Sequence, residues 1–561
     1  MGSRNQIVVI GGVAAGMKTA SRIMRLNPFA KVIVLEKTKD VSYGACSLPY
    51  YIEGHFDDLE EVRRTPVGVL RDEKFFANCK GVEVRTLTEA LEIDSKQKKV
   101  KVRNLENDQE SEIPYDKLVL ATGNHPILPP IPGMELPGVY PLKTMADAEN
   151  ILSRSKNCKK AVIIGGGLIG LEVAEALVHN GLQVSLIEMK NQVLNNALDF
   201  GMASLVHREL KKNGVNLCLS QPLERIEARN GKVCAVKTPE GVVDAEMVVV
   251  AIGVKPVVAL AQKAGLKLGE TGAIAVDDHL CTSDPDIYAA GDCVESQHLL
   301  SKEKLYVPLG STANKHGRVV ANNICGRAEK FPGILSTLVV KVFNQNGART
   351  GLLPEQAQAA GFDPVSVLIA SPDKVHNYPD CKPIDIKLVA DKKSRKVIGA
   401  QIVGPGDVSK RIDTVVAGIS MGITVDQMAQ LDLAYAPPFS AAMDPLHIAA
   451  NALRNKLDGI MESLDPQELR VKQLNGDDFV FLDVRSPKEY EEVRIPGATL
   501  IPLGVLRSRV NELPKDKEII PFCKLSLRGY EAALILKGAG FENVRYMEGG
   551  VLGWPYELET S

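Results

Sequence analysis

Two glycine-rich turns, each between a β-branched run and a helical pattern, constrain the fold of this chain more than any other feature. The first is Gly11-Gly-Val-Ala-Ala-Gly16, which follows the β-branched run over 6–10. The second is Gly165-Gly-Gly-Leu-Ile-Gly170, which follows a similar run over 161–164. A further apolar run comes after each helical pattern, so both segments predict a strand–helix–strand unit. Two such units predict two doubly wound domains, the second inserted into the first.

Each unit has the parts of a dinucleotide site. Glycines in a strand-to-helix turn let the backbone approach a pyrophosphate, and the helix that follows presents unpaired N–H groups to it. The second strand of each unit is followed at once by an acid, Glu36 or Glu188. Both acids lie near the offset of about 20 residues at which a carboxylate accepts ribose hydroxyls. A purely structural turn is the alternative, chiefly for the first unit, where Val13 replaces a glycine.

Glu188 also bears on the choice of nicotinamide cofactor. A carboxylate repels a 2′-phosphate, so the sequence favours NADH over NADPH, although Lys190 keeps NADPH open. Two later apolar runs end in glycine turns, at Ala121-Thr-Gly123 and at Gly291-Asp292. We expect them to return the chain to the first domain. A helix N-cap is the alternative role for Asp292.

Cys46 stands alone in Ser42-Tyr-Gly-Ala-Cys-Ser-Leu-Pro-Tyr50, and no other cysteine precedes Cys79. An enzyme that reduces disulfides with its own dithiol carries a second cysteine a few residues away, which resolves the mixed disulfide. Tyr50 and Tyr51 occupy that part of this sequence. The resolving sulfur therefore belongs to a bound small thiol, to another domain, or to nothing at all. A buried inert cysteine is the alternative.

The length of 561 residues suggests three or four domains, at about 150 residues per domain. Alternating strands begin near residue 335 and give way to helical patterns, which predicts an α+β domain. The last part of the chain alternates strands and helices as a small α/β domain does. The predicted limits are 1–112 with 250–328 for the first nucleotide domain, 113–249 for the second, 329–455 for the α+β domain, 456–466 for a linker and 467–561 for the last domain.

Composition and charge exclude several classes of protein. The formal charge of -2 gives no reason to expect a nucleic-acid or membrane partner. The ten cysteines form no C-x-x-C pair, which argues against a disulfide scaffold and a structural zinc site, so no metal is predicted. The N-terminus lacks the pattern of a secretory signal, and no apolar stretch approaches the roughly 20 residues that span a bilayer. We therefore expect a cytoplasmic protein.

The motifs of the first unit resemble the FAD domain of the two-dinucleotide flavoprotein disulfide reductases. Within that superfamily, the segment around Cys46 resembles the single-cysteine branch: coenzyme A disulfide reductases, NADH-dependent persulfide reductases, and NADH oxidases and peroxidases. The resemblance covers about residues 5 to 450. It implies FAD at Gly11, Gly12, Ala15, Gly16, Glu36, Lys37, Ser42, Ala121, Thr122, Gly123, Gly291 and Asp292, and NAD(P)H at Gly165, Gly167, Gly170, Glu188 and Gly253.

The resemblance also implies the role of Cys46. The thiol would lie beside the flavin and cycle between a thiolate and a mixed disulfide with coenzyme A. A helix N-terminus and an electron-poor ring would lower its pKa from about 8.5. The family usually has Asn before this cysteine and Gly after it, where this chain has Ala45 and Ser47, so we expect its contacts to coenzyme A to differ.

In the α+β domain, Val375-His-Asn-Tyr-Pro379 and Asp432-Leu-Ala-Tyr-Ala-Pro-Pro-Phe-Ser440 resemble segments that deliver tyrosines to the active site across a two-fold homodimer. The resemblance implies that Tyr378 and Tyr435 hydrogen-bond to the departing coenzyme A thiolate or protonate it. Without the resemblance, a tyrosine before Pro-Pro more often packs than reacts.

Four ordered motifs in the last domain resemble a rhodanese. They begin at Leu482, Arg494, Phe522 and Gly549. A strand end that feeds a tight turn and a helix gathers backbone N–H groups around one sulfur, here over Cys523 to Arg528. That loop would stabilise a thiolate or persulfide at Cys523. Ser526 replaces a common glycine and Arg494 the usual His, and a degenerate domain used only for docking is the alternative.

The sequence therefore predicts an α/β protein with two doubly wound FAD and NAD domains, an α+β dimerisation domain and a C-terminal rhodanese-like α/β domain. The predicted function is NADH-dependent, FAD-mediated reduction of coenzyme A persulfide, polysulfide or disulfide at Cys46, coupled to sulfur transfer at Cys523. One alternative is an NADH oxidase or peroxidase with a sulfenic acid at Cys46. Another is a rhodanese sulfurtransferase with a redox-sensing flavoprotein platform.

Overall fold

The structure, a computed structural model, describes residues 5–560. These residues pack as two compact units. One unit holds the chain up to Met189 together with Gln221–Ile334. The other holds Lys190–Ser220 and the chain from Leu335 onward. The division follows packing, so the domain limits given above remain predictions.

The first unit contains the predicted FAD-type domain. Its central strands are β-branched runs buried on both faces, which is typical of a parallel sheet covered by helices. Helices Ala14–Leu26 and Gly310–Ile324 pack against each other. The five parallel strands lie in the order Ile287–Ala289, Lys117–Leu120, Gln6–Ile10, Lys31–Leu35 and Glu83–Arg85.

The second nucleotide-binding unit repeats this design. Helix Leu168–His179 is apolar over most of its surface and largely buried, and it connects two parallel strands by the crossover that such strands require. Both strand–helix–strand units are thus confirmed. The strands of this sheet lie in the order Gln183–Ile187, Lys160–Ile164, Met247–Val250 and Val139–Pro141, all parallel.

Two small antiparallel sheets in the first unit were not predicted. Their strands carry many Lys, Glu and Arg residues because one face meets solvent, so the apolar signal is weak. The first consists of Thr88–Asp94, Lys99–Asn104 and Glu110–Pro114, and the second of Arg225–Arg229, Lys232–Thr238 and Gly241–Asp244.

The second unit contains a five-stranded antiparallel sheet with helices packed on it, which confirms the predicted α+β domain. Its strands lie in the order Leu338–Val342, Gln345–Gly351, Val397–Gly404, Pro383–Asp391 and Pro364–Pro372. The helices are Phe200–Lys212, Pro354–Ala359, Ser409–Met421, Val425–Met428 and Pro445–Leu457.

The C-terminal part has its own core, in which Phe481 stacks on Phe522 with ring centroids 4.2 Å apart and Trp554 is buried. This arrangement confirms the predicted small α/β domain. Parallel strands Thr499–Leu500, Phe479–Asp483 and Glu518–Phe522 form one sheet, and Ser463–Leu464 pairs with Tyr546–Met547. The helices are Pro466–Asn475, Pro487–Glu492, Leu503–Arg509 and Leu527–Gly538.

Apart from helix Met145–Ser155, the remaining elements are short. They are helices Leu48–Glu53, Glu73–Phe75, Met145–Ser155 and Ala259–Lys263, 3-10 turns Ala45–Ser47, Leu59–Arg63 and Val510–Glu512, the π-turn Phe76–Lys80, and strands Asn124–Pro126, Asn216–Cys218, Val254–Pro256, Ser296–Gln297, Lys304–Leu305, Val493–Arg494 and Glu559–Thr560. Across residues 5–560, no helix is long and apolar enough to cross a membrane.

Candidate active sites

The first glycine turn is shaped by close backbone contacts. Gly11 has φ +110°, and a Cβ there would lie 2.1 Å from the carbonyl oxygen of Ala121. A Cβ at Gly16 would lie 1.9 Å from the carbonyl oxygen of Gly11. The Gly12 N–H donates to Oε2 of Glu36 over 2.8 Å. This hydrogen bond places the acid beside the turn, as a site for ribose and pyrophosphate requires.

The second glycine turn repeats these relationships. A Cβ at Gly165 would lie 2.5 Å from the Ala251 carbonyl oxygen, and one at Gly170 would lie 2.0 Å from the Gly165 carbonyl oxygen. The Gly166 N–H donates to Oε2 of Glu188 over 2.7 Å. Gly166 was missed by the sequence prediction, which used the first, third and sixth positions of the motif. Predicted Gly167 has open space around it, and predicted Gly253 has φ +112°.

Several other residues of the predicted FAD set lie around the first turn. The Ser42 N–H donates to the Gly12 carbonyl over 2.8 Å, and the Thr122 hydroxyl donates to the Val257 carbonyl over 2.7 Å. Lys37 is exposed. The remaining members are Ala15, which is buried in the helix after the turn, Gly123 with φ +69°, and Gly291 with φ +81°.

Asp292 lies in a turn, and the next helix begins only at Gly310, so its alternative role as a helix N-cap is wrong. The amide of Asn124 donates to its Oδ2 over 2.7 Å. Desolvation raises the pKa of Asp292, against the opposing effects of Lys143 and of this hydrogen bond.

Two buried polar atoms near Asp292 fit a bound polar group such as FAD. Within residues 5–560, no protein group pairs with Oδ1 of Asn124 or with the hydroxyl of Tyr306. Buried polar atoms in proteins are almost always hydrogen-bonded, so both atoms point to a ligand with its own donors and acceptors. Together with the Gly12–Glu36 contact, these residues fit a dinucleotide.

Cys46 lies in the turn Ala45–Ser47, directly before helix Leu48–Glu53, and its side chain is exposed. A Cβ at Gly310 would lie 3.9 Å from the Cys46 sulfur, so the sulfur lies beside the first residue of helix Gly310–Ile324. A helix N-terminus favours negative charge.

The protein groups around Cys46 nevertheless raise the pKa of its thiol, which differs from the expected lowering. Desolvation is the main cause, Glu172 and Asp292 add to it, and Lys143 opposes them. Burial also raises the pKa of Glu172 to about 7, with a contribution from Glu175. Lys143 does not outweigh the other groups, so a net lowering of the Cys46 pKa would require a bound cofactor or substrate.

Glu172 and Lys143 were not among the predicted site residues. Glu172 has a weak signal in the sequence, since it is an acid in the otherwise apolar start of helix Leu168–His179. Lys143 has none, because only the tertiary structure brings it near Cys46. Burial lowers the pKa of Lys143, while Asp292 and Cys46 oppose that change.

The two predicted tyrosines belong to the second unit, and both are exposed there. Tyr378 is 37% exposed and lies beneath the Lys374 ammonium, which is 5.9 Å from the ring centroid. Tyr435 is 51% exposed. Their approach to Cys46 across a dimer remains a prediction.

The rhodanese-type loop lies between strand Glu518–Phe522 and helix Leu527–Gly538, as expected. Cys523 is buried at the start of the loop. Its carbonyl accepts the Val551 N–H over 2.9 Å, and the Ser526 hydroxyl accepts the Gly549 N–H over 2.9 Å. Ser526 therefore connects the loop to the segment that follows strand Tyr546–Met547.

Arg528 ends the loop and interacts with the Cys523 sulfur. Its guanidinium donates to both carboxylate oxygens of Glu489, over 2.9 and 2.7 Å. This pairing, with the Ser486 contacts, lowers the pKa of Glu489 to about 2. Glu489 was not predicted. Arg494, the replacement for the usual His, pairs instead with Glu559 over 2.7 Å.

Comparison with known families agrees with this organisation. Residues 5–317 match the family described as pyridine nucleotide-disulphide oxidoreductase, and 338–447 match its dimerisation domain. Residues 465–556 match the rhodanese-like domain. The recognised family and the fold class are thereby confirmed.

Individual proteins give the same picture. The chain is 37% identical over 455 residues to an NADH oxidase of Methanocaldococcus jannaschii, covering 80% of this chain and 99% of that protein. It is 36% identical over 453 residues to an NAD(P)H coenzyme A polysulfide/persulfide reductase of Pyrococcus horikoshii, again covering 80% and 99%.

A solved structure extends the similarity over the rhodanese-like part. The NAD-dependent persulfide reductase from A. fulgidus is 45% identical, with a TM-score of 0.94, and the match covers 98% of this chain and 100% of that one. The chain therefore belongs to the pyridine nucleotide-disulphide oxidoreductase family of FAD- and NAD(P)H-dependent enzymes, and it carries a C-terminal rhodanese-like domain.

Proposed function

We propose that this protein is an NADH-dependent reductase of coenzyme A persulfide, with coenzyme A polysulfide and disulfide as related substrates. The observation that carries the proposal is Cys46, an exposed thiol beside a helix N-terminus with no second cysteine a few residues away. Such a thiol needs a partner from its substrate. The relatives named persulfide reductases support coenzyme A persulfide as that substrate.

The two glycine turns would hold the dinucleotides. We assign FAD to the turn at Gly11 with Glu36 and to the groups around Asp292, and NADH to the turn at Gly165 with Glu188. FAD, when bound, supplies Cys46 with the electron pair taken from NADH. Glu188, which accepts the Gly166 N–H, supports NADH over NADPH because it would repel a 2′-phosphate.

Cys46 would act as the nucleophile. Its thiolate attacks the sulfur bonded to carbon in coenzyme A persulfide, which forms a mixed disulfide and releases hydrosulfide. The electron pair then cleaves the mixed disulfide to the Cys46 thiolate and the coenzyme A thiolate. The sum is NADH, a proton and the persulfide going to NAD⁺, coenzyme A and hydrogen sulfide.

Protonation of the leaving thiolate needs a nearby acid. We assign this role to Tyr378 and Tyr435 of a partner subunit, and their exposure supports it. Glu172 is a second proton source, since its pKa of about 7 leaves it partly protonated near neutral pH.

Cys523 would exchange sulfane sulfur with a persulfide or thiosulfate. Its thiolate attacks the outer sulfur, takes it as a persulfide and releases the donor as a thiolate or as sulfite. Arg528 would stabilise the negative charge at this sulfur. The fusion of the rhodanese-like domain to the reductase supports this proposal, because fusion raises the local concentration of the persulfide carried by Cys523.

We also propose a cytoplasmic homodimer. The dimerisation-domain match supports the dimer, as do the exposed apolar side chains Phe439 and Met443 near Tyr435. All ten cysteines, which lie within the described residues, are free thiols, as in a reducing compartment.

Mass spectrometry of the purified, air-oxidised enzyme tests the external thiol. We expect coenzyme A on Cys46, released by reductant, in wild type and in Cys79→Ser. Cys79 is a second exposed thiol of the same unit and serves as the control. A sulfenic acid at Cys46 without coenzyme A, with oxygen consumption from NADH, would support the NADH oxidase instead.

A further inference from the structure

We propose that Glu53, His55, Glu175 and His179 form a binding site for one divalent transition-metal ion of the zinc class. These four residues lie at the far end of helix Leu48–Glu53 from Cys46, where that helix packs on helix Leu168–His179. The site is independent of the sulfur chemistry proposed above.

Three of the four donor groups already converge, and His55 contacts one of the three. Nδ1 of His179 lies 2.6 Å from Oε1 of Glu53, and Nε2 of His55 lies 3.2 Å from Oε2 of Glu53. The donor atoms of Glu53, Glu175 and His179 all lie within 4.8 Å of one another. Small side-chain rotations would bring them to the distances of about 2.0–2.2 Å from a shared metal that zinc ligands adopt.

The backbone fixes the spacing of both ligand pairs. Glu175 and His179 are four residues apart on one helix, so they project from the same face. Glu53 and His55 lie at the end of a helix whose C-cap, Gly54, takes the left-handed conformation with φ +91°. The site is therefore built on two packed helices rather than on one mobile loop.

Burial and charge favour a cation at this place. The Glu53 side chain is 8% exposed and Glu175 is 3% exposed, so two carboxylates lie close together away from water. A divalent ion bound between the two carboxylates would offset their mutual repulsion.

The donor set selects the kind of metal. Imidazole nitrogen with carboxylate oxygen suits zinc and its neighbours, whereas magnesium and calcium prefer oxygen ligands alone. The two imidazoles, 54% and 47% exposed, give the ion a path from solvent. The sequence prediction of no metal rested on cysteine spacing, and it could not join residues from two distant segments.

A bound ion would link the helix that follows Cys46 to the helix that follows the Gly165 turn. The test uses the FAD-loaded full chain, dialysed against a chelator and titrated with Zn²⁺ or Mg²⁺ in a calorimeter. We expect one Zn²⁺ per chain at this site, no comparable Mg²⁺ binding, and a higher melting temperature with Zn²⁺. X-ray absorption should show nitrogen and oxygen ligands, which separates this site from zinc held by cysteine sulfur.

Substitutions locate the ion. His179→Ala, at a half-exposed position, should weaken Zn²⁺ binding at least tenfold, and Glu175→Gln should do the same without a change of volume. His376→Ala, at an exposed histidine of the other unit, should leave binding unchanged. Unchanged FAD absorbance shows that each variant has folded. Zn²⁺ binding that survives in both variants, sulfur-only coordination, or no saturable binding would show that the cluster is only a hydrogen-bonded His–Glu network.

Discussion

Arg528 and Glu489 form a two-point ion pair, with Nη1 to Oε2 at 2.9 Å and Nη2 to Oε1 at 2.7 Å. Glu489 is itself fixed by a capping box with Ser486 at the start of helix Pro487–Glu492. The capping box therefore orients the carboxylate, the carboxylate orients the guanidinium, and the guanidinium interacts electrostatically with Cys523. Glu489 is a positioning residue for the rhodanese-type loop.

Glu489→Gln should slow sulfur transfer from thiosulfate to cyanide by about 10-fold or more, because charge-assisted hydrogen bonds contribute about 1.5–3 kcal/mol. The exposed Glu492→Gln on the same helix should have little effect. NADH-dependent reduction at Cys46 should not change in either variant. Equal transfer rates in both variants would show that Arg528 needs no such support.

The same ion pair makes stability depend on pH. The pKa of Glu489 is about 2 in the folded protein, below its usual value near 4.3. The unfolded chain therefore binds more protons between these values, so the contribution to stability is present above about pH 4.3 and is lost as pH falls towards 2. Denaturant unfolding of wild type between pH 6 and 3 should show a larger loss of stability than Glu489→Gln does.

The charge environment of Cys46 predicts its reactivity in FAD-free protein. Glu172 raises the pKa of the thiol, so Glu172→Gln should lower the pH at which iodoacetamide alkylates Cys46 half-maximally. Lys143→Met should raise the pH of half-maximal alkylation, because Lys143 lowers the pKa of the thiol. Peptide mass spectrometry measures the alkylated fraction of Cys46 in both variants. Glu149→Gln, at an exposed acid in helix Met145–Ser155, is the control and should not shift it.

Two glycine substitutions separate the nucleotide sites. Gly11→Ala would place a Cβ 2.1 Å from the Ala121 carbonyl oxygen at φ +110°, so the purified protein should lack FAD. Gly165→Ala should keep FAD but raise the KM for NADH about tenfold or more, because a loss of about 1.4 kcal/mol of binding free energy corresponds to a factor of ten. Gly504→Ala, which meets no atom within 4 Å, should do neither. Loss of FAD in Gly165→Ala alone would reverse the assignment of the two turns.

Glu548 connects the rhodanese-like part to the antiparallel sheet within the second unit. Its buried carboxylate accepts the Leu368 N–H over 2.7 Å and the Lys456 ammonium over 2.8 Å. Breaking such a buried pair costs about 3–5 kcal/mol. Glu548→Ala should therefore lower the denaturant midpoint for loss of sulfur transfer well below that of the control Glu542→Ala, which replaces an exposed acid of the same domain.

The sequence was most informative where one periodicity dominates. Strand Gln6–Ile10 was predicted with its observed bounds, because a β-branched run that ends at a glycine turn leaves few alternatives. Strand Thr88–Asp94 was missed because one face is solvated and its charges hide the apolar positions.

The contacts in the candidate sites also differ in whether the sequence could predict them. Gly12 and Glu36 follow from motif spacing, because one strand–helix–strand unit brings the turn and the acid together. Glu489 and Arg528, or Glu53 and His179, meet only through tertiary packing, and nothing in their spacing indicates the contact. The raised pKa of Cys46 likewise depends on groups from separate segments.

The central claim is that Cys46 uses electrons from NADH to release sulfide from coenzyme A persulfide. The direct measurement is anaerobic: NADH consumed, sulfide released and coenzyme A formed are counted together for wild type, Cys46→Ser and Cys523→Ser. We expect equal amounts of all three for wild type and Cys523→Ser, and no NADH-linked sulfide for Cys46→Ser. Sulfide release that continues unchanged in Cys46→Ser, or that requires Cys523 alone, would contradict the account.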